Sequence, residues 1–358
     1  MAGSDNGGRR GILVVVGLIL AGLIAAVISV NTWRARDARE TTADADRQRE
    51  RISEADQALE RLQGKYAHAN LHKQVARVIP LAEEQVARFE SHQASHNFLG
   101  TLLSEVGRLE DAYDRFQISL ELDPRQSKVH FSCGVLATKL DRLKPALEHY
   151  RQAVSIDKDK PIYRVHVAMV LIKINEYDQA RMQLLAALKM DSNLADGYYG
   201  LAELDFVQNR LDMALQQIDR AIERMPISQR DKQVKFLRKK AWILQRANRH
   251  ADALATLRKL TPEERSDPEV IEQMAVSLRQ LDKTHEAAAL YEDAMNTDPI
   301  VAAYAEGAAR WSIEAGLLDD ARRHLDALSM IDPNAKEISG LEARLKRTRD
   351  EAKAVASD

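Results

Sequence analysis

Residues 93–126 read QASHNFLGTLLSEVGRLEDAYDRFQISLELDPRQ, and the landmarks of this stretch are Gly100, Gly107, Ala112, Phe116 and Pro124. Ala112 opens a series that continues through Ala146, Ala180, Ala214, Ala253, Ala287 and Ala321, at gaps of 34, 34, 34, 39, 34 and 34 residues. One unit therefore recurs seven times with a single five-residue interruption. Fixed self-similarity at this period predicts stacked units, each burying its apolar face only against its neighbours.

Other positions keep the same beat. Four residues after each alanine stands Phe116, Tyr150, Leu184, Ile218, Leu257, Tyr291 or Leu325, and three further on Ser119, Ala153, Ala187, Ala221, Leu260, Ala294 or Leu328. Spacing of four and then three puts these side chains on one helix face. Twelve residues before each alanine sits a small residue: Gly100, Gly134, Ala168, Ala202, Ala241, Ala275 or Ala309. Side chains that small let two helices approach closely. Between the two helices falls Gly107, Asp141, Asn175, Asn209, Asn248, Asp282 or Gly316, all types that tolerate the left-handed backbone that ends a helix. Pro124, Pro226, Pro299 and Pro333 close four of the units, where a helix must stop. The unit is helix, tight turn, helix.

This pattern resembles the tetratricopeptide repeat family, whose signature is a bulky residue, Leu and Gly in the first helix, then Ala, an aromatic and Pro in the second. In that register the repeats run 93–126, 127–160, 161–194, 195–228, 234–267, 268–301 and 302–335, about two thirds of the chain. Lys158, Ser192 and Arg265 depart from the closing Pro. The fifth copy has Lys240 at the usual Leu position and follows the inserted segment Gln229–Gln233. The expected fold is all-α: a right-handed α-solenoid of about seven such units behind one N-terminal transmembrane helix.

The transmembrane expectation rests on Ile12 to Val30, which reads ILVVVGLILAGLIAAVISV without a charge. Nineteen residues at about 1.5 Å rise span roughly 28 Å, close to the thickness of a bilayer core. Arg9 and Arg10 precede the run and Trp33 suits an interface, so an uncleaved signal anchor is preferred over a cleaved signal peptide. The positive-inside count is nearly balanced, with Arg34, Arg36 and Arg39 after the span. The repeats are expected on the extracytoplasmic (periplasmic) side, with the cytoplasmic side as the alternative. Gly17, Ala21 and Ala25 form a small-xxx-small line that suits a homodimer through the transmembrane helix.

Around these features the chain divides into an N-terminal tail (1–11), the span (12–30), a polar linker and juxtamembrane helix (31–66), capping helices or a degenerate half-repeat (67–92), the repeats (93–335), and a C-terminal capping helix and tail (336–358). Ile52, Ala55, Leu59, Leu62 and Tyr66 alternate by three and four, fitting either a short coiled coil or a helix packed on the first repeat.

Net charge is −2 and aromatics are 5% of the chain, so no global field attracts nucleic acid. Cys133 is the single cysteine, at a first-helix core position; it excludes an intrachain disulfide and a cysteine metal cluster. No phosphate loop, nucleophile elbow or paired-carboxylate signal stands out. His68 with His72 and His92 with His96 have metal-compatible spacing, yet no third ligand accompanies them. The reading is a non-enzyme without metal or cofactor.

The resemblance implies a concave surface lined by first-helix positions two, five, nine and twelve. These map to Phe131 and Val135, then Ile162, Val165, Met169 and Ile172, then Tyr199 and Phe206 with Asp196 and Glu203 between, then Lys235, Arg238 and Trp242. Repeats six and seven turn charged, with Glu269, Glu272, Arg279, Glu306 and Arg310. Asparagine is absent at the ninth position (Thr101, Val135, Met169), which argues against a chaperone-tail clamp. Lys235, Arg238, Lys239, Lys240, Arg246 and Arg249 form the densest basic stretch, read as a charged helix face rather than a nucleic-acid site. The expected partner is a protein or peptide in the groove, an apolar segment or amphipathic helix with an acidic group meeting Lys235 and Arg238. The expected role is a membrane-anchored scaffold in envelope assembly, secretion or chaperoning. The alternative is an accessory subunit of a membrane enzyme or transport complex, contacting it through the span.

Overall fold

The computed structural model describes residues 42–71, 75–226 and 228–357. They are all-helical, without a strand among the described residues, and fall into two compact units divided after Ser192. The first unit contains α1 (Thr42–Leu71), a 3-10 turn (Val75–Arg77), α2 (Ile79–Arg88), α3 (Gln93–Glu105), α4 (Leu109–Leu122), α5 (Ser127–Lys139), α6 (Leu143–Ile156), α7 (Pro161–Lys173) and α8 (Tyr177–Met190). The second contains α9 (Ala195–Val207), α10 (Leu211–Glu223), α11 (Arg230–Arg246), α12 (His250–Leu257), α13 (Pro262–Arg265), α14 (Pro268–Arg279), α15 (Thr284–Thr297), α16 (Ala302–Glu314), α17 (Leu318–Ile331) and α18 (Ile338–Ser357). Within each unit the substantial contacts run between consecutive or next-but-one helices, as in a solenoid.

Among the described residues seven take positive φ: Gly107, Asp141, Asn175, Asn209, Asn248, Asp282 and Gly316. They are the turn column of the sequence. Each closes a Schellman motif, in which the next residue's N–H reaches back five residues, as from Arg108 to the Leu103 carbonyl at 2.9 Å and from Arg210 to the Asp205 carbonyl at 2.8 Å. That same next residue is the N-cap of the following helix, since the Arg108 carbonyl accepts from the Ala112 N–H at 3.0 Å. In six of the seven turns a single residue separates the C-cap of one helix from the N-cap of the next; between α14 and α15 there are two, Leu281 and Asp282.

The seven alanines that mark the period are fully buried. Where the aromatic column carries a ring, a glycine makes room for it. A Cβ on Gly100 would lie 3.0 Å from the Phe116 ring, and one on Gly134 would lie 2.6 Å from Tyr150. Repeat six has Ala275 at that place, and its ring, Tyr291, instead lies against Gly307 of α16, where a Cβ would come within 2.1 Å.

The insertion at 229–233 is absorbed as helix: α11 starts at Arg230, ahead of the repeat boundary, and runs to 17 residues. Its partner α12 stops after 8 residues. A new turn, α13, starts at Pro262, fixed by a capping box in which Thr261 and Glu264 satisfy each other's backbone N–H.

Leu59, Leu62 and Tyr66 of α1 are buried in one cluster with Val78, Ile79, Phe98 and Leu102, Ala55 of the same helix is also buried, and the Tyr66 hydroxyl donates to Glu105 at 2.7 Å. Of the two readings of that apolar line, packing on the first repeat is the observed one. At the other end, Leu341 and Leu345 of α18 cover Leu325 and Leu328.

The single-pass membrane arrangement is corrected. Among the described residues no helix is long and apolar enough to cross a membrane. The two longest, α1 and α18, are charge-rich, with Arg47, Arg49, Glu50 and Arg51 in one and Lys346, Arg347, Arg349 and Asp350 in the other. Residues 12–30, on which the span, its orientation and the homodimer rested, lie outside the described residues, as does His72.

Candidate functional site

In the second unit the first helices of repeats four and five, α9 and α11, lie side by side. Tyr199 stacks on Phe236, with ring centroids 4.6 Å apart at 14°, and Phe206 packs on Trp242 at 4.7 Å. Tyr199 and Phe206 are half-buried, Phe236 is core, and Trp242 leaves 45% of its surface in solvent. The Lys239 ammonium lies 4.2 Å from the Phe206 centroid and 4.3 Å from that of Trp242, and pairs with Glu203 at 2.7 Å. Burial pulls the Lys239 pKa down, and Glu203 opposes that shift. Burial first, and then Glu203, raises the Tyr199 hydroxyl. Such cation–ring contacts are worth about 2 kcal/mol when desolvated. Lys239 thereby fixes Phe206 and Trp242 from beneath and leaves the outer part of the indole open.

Lys235 places its ammonium 4.8 Å from the Tyr199 centroid, is exposed, and forms no ion pair among the described residues. Its neighbours differ. Arg238 pairs with Glu269 and also lies 3.8 Å from Asp267, while Lys240 pairs with Asp219 at 2.5 Å and Arg249 with Asp252 at 2.6 Å. Lys232 meets Asp196 at 2.9 Å. Four of the basic residues in that stretch, Arg238, Lys239, Lys240 and Arg249, are thus engaged by carboxylates. Arg238 is already neutralised, so a partner's acid would compete there with Glu269 and Asp267.

Two ion pairs link repeats six and seven, Glu272 with Arg310 and Arg279 with Glu314. Glu272 accepts from the Tyr291 hydroxyl and from Arg310, each at 2.6 Å, and from the Trp311 indole at 3.3 Å. Arg279 donates to Glu314 at 2.8 Å. Burial raises the Glu306 pKa, Arg310 acting against it.

The first unit carries a separate aromatic cluster. Phe131 stacks on Tyr163 at 5.0 Å and meets His166 edge-on at 4.8 Å. Phe131, Val135, Ile162 and Met169 are half-buried. Val165 and Ile172 are 4% and 7% exposed, so these two predicted groove residues belong to helix packing rather than an open surface.

Beside that cluster two histidines meet, His130 Nδ1 lying 3.1 Å from His149 Nδ1. Nε2 of His130 faces the Pro124 carbonyl at 3.1 Å and so carries a proton; its Nδ1 accepts from His149 Nδ1–H. His149 Nε2 in turn accepts from Tyr113 at 3.1 Å and Gln117 at 3.0 Å. Burial brings the His149 pKa down to about 4, with His130 adding to the shift, and burial also lowers His130. The repeat spacing does not mark this hydrogen-bond chain, because its members come from three helices. Cys133 is fully buried and its thiol is pushed up to about 12 by that burial. His92 and His96 point to different partners: His92 bridges Ser95 at 2.8 Å and Asp56 at 3.1 Å, and His96 contacts the Glu90 carbonyl at 2.8 Å.

A family model described as Psidin, N-terminal TPR repeats region, matches residues 203–307, and one described as Tetratricopeptide repeat matches residues 168–226. Subunit 3 of the anaphase-promoting complex of Schizosaccharomyces pombe is 25% identical over 117 residues, 33% of this chain and 18% of that protein. The tetratricopeptide repeat-containing protein trd-1 of Caenorhabditis elegans is 34% identical over 83 residues, 23% of this chain and 10% of that protein. This chain therefore spans under a fifth of the length of either relative. Among solved structures, the C-terminal part of a TPR repeat-containing protein from Cytophaga hutchinsonii superposes with a TM-score of 0.48 at 15% identity, covering 68% of this chain and 97% of that one.

Proposed function

Because this chain belongs to the tetratricopeptide repeat family, we propose that it is a protein–protein interaction scaffold that captures a partner polypeptide on the first-helix face of repeats four and five. The observation that carries the reading is Trp242, an indole 45% exposed yet held by Phe206 and Lys239. A rigid indole presents a large apolar face and loses little entropy when it is covered, which is why Trp is enriched among interface anchors. Next to it, Lys235 on Tyr199 offers an exposed cation. The matching ligand is an extended or helical segment with an apolar side chain for Trp242 and a carboxylate for Lys235. Phe131, Val135, Ile162 and Met169 form a second apolar surface in the first unit, which we assign to the same partner class.

Affinity capture with the full chain tests this, comparing wild type with Trp242→Glu. The expected result is a polypeptide retained by wild type and reduced at least tenfold by the variant, with helical content and a cooperative unfolding transition kept in both. Equal retention by both would remove this face as the binding site.

A further inference from the structure

The first unit has a half-open cavity of about 390 Å³ between α2, the turn that follows it, α3 and α4. This is at the small end for ligand sites. Val86, Leu99 and Ile118 give it an apolar lining. Three charges line it, Glu83 on α2, Glu90 in the turn and Arg115 on α4; Glu83 is engaged by Arg108 at 3.5 Å, whereas neither Glu90 nor Arg115 has a side-chain ion pair or hydrogen bond among the described residues. Glu90 and Arg115 are therefore too far apart to satisfy each other.

The remaining polar group is His96, 3% exposed. Its Nε2 lies 2.8 Å from the Glu90 carbonyl, which can only accept, so Nε2 carries the proton. Nδ1 is then a buried acceptor, and no donor reaches it. A buried acceptor without a donor is destabilising, and a ligand donor in the cavity would relieve it.

We propose that this cavity binds a small zwitterion with an apolar side chain, an apolar α-amino acid. Arg115 receives the carboxylate. Glu90 and His96 Nδ1 receive the ammonium, which supplies the missing donor. Val86, Leu99 and Ile118 receive the side chain. A peptide terminus would present only one of the two charges, leaving either Arg115 or Glu90 unmatched.

Isothermal titration of the full chain with L-leucine, N-acetyl-L-leucine and L-leucinamide separates these sources. The expected result is saturable binding of leucine, with both blocked derivatives at least tenfold weaker. Arg115→Gln and Glu90→Gln should each weaken leucine at least tenfold while leaving the melting temperature unchanged, because neither side chain has a partner to lose. Absence of leucine binding at millimolar concentration overturns the proposal, as does equal binding by both variants. Leucinamide or N-acetyl-leucine binding as tightly as leucine would show a chain terminus to be the ligand and overturn the zwitterion reading.

Discussion

Replacing Gly307 by alanine should be among the most damaging single-methyl additions in the second unit. The new Cβ would stand 2.1, 2.4 and 2.5 Å from three atoms of the Tyr291 ring, against the 3.5–4.0 Å at which carbon atoms ordinarily rest. The ring has little room to retreat, being 3% exposed and tied through its hydroxyl to Glu272 at 2.6 Å. Overpacking of this kind costs about 1–3 kcal/mol, and a lost hydrogen bond to a carboxylate costs about 1.5–3 kcal/mol. Against these, alanine in a helix interior is favoured over glycine by about 1 kcal/mol. The net expectation is a loss of about 1.5–5 kcal/mol. Urea unfolding followed by tryptophan fluorescence suits the measurement, because Trp311 donates to the same Glu272 carboxylate and reports the site directly. The decisive control is the Tyr291→Leu background, leucine being the residue at the equivalent positions 184, 257 and 325. There, Gly307→Ala should turn stabilising by about 1 kcal/mol. An equal loss in both backgrounds, or no loss in the wild type, would refute the account of why a glycine stands at 307.

Three further outcomes follow from the same geometry. His130 and His149 are held neutral by burial, so their contribution is complete above about pH 6.5 and declines as pH falls towards about 4. His149 should cost the first unit about 2 kcal/mol over that window, after allowance for partial solvent screening, with His130 acting in the same direction; Glu148 opposes both shifts, and His149→Gln should flatten the slope seen in pH-dependent urea midpoints. Gly64→Ala in α1, where a Cβ meets nothing within 4 Å, should raise stability by about 0.5–1 kcal/mol, while Gly107→Ala at φ +83° should lower it by about 1–2 kcal/mol, both measurable by chemical denaturation. Glu203→Gln removes the counter-charge of the buried Lys239 and should destabilise the second unit by about 2–4 kcal/mol with a shift in Trp242 fluorescence; an unchanged midpoint would mean that Lys239 is not confined between the rings.

The fold was legible wherever one residue type at one spacing has a single structural use. Gly107, Asp141 and Asn175 could be read as left-handed caps because few other side chains tolerate that backbone and because they fall midway between two apolar periods. The Tyr291–Gly307 contact was hidden, since it departs from the period: Ala275 fills the space that Gly100 and Gly134 leave open, and the ring finds its room one helix later. The surface was legible only in part. Repeat position marked Tyr199, Phe206 and Trp242, yet could not tell Met169 from Val165 or Ile172, because coverage depends on the neighbouring helix rather than on the residue's own. The fate of the basic stretch was equally remote, its partners Glu203, Asp219 and Glu269 lying in other helices. The apolar run at 12–30 set an expectation of membrane residence that the charge-rich helices of the described chain do not carry.

The shared residue at each paired-helix turn has a consequence for how this chain can change in length. Arg108, Arg142 and Arg210 each complete the cap behind them while starting the helix ahead, so one added residue there would misalign both hydrogen-bond ladders at once. The joints between repeats carry no such double duty, and a gain of residues there can be wound into the following helix. The extra segment at 229–233 sits at such a joint, and α11 has taken it up as an additional turn. Tags, cleavage sites or grafted peptides should therefore be tolerated at the joints near Pro124, Pro226 and Pro299, and should disrupt the array when placed beside Gly107 or Asn209.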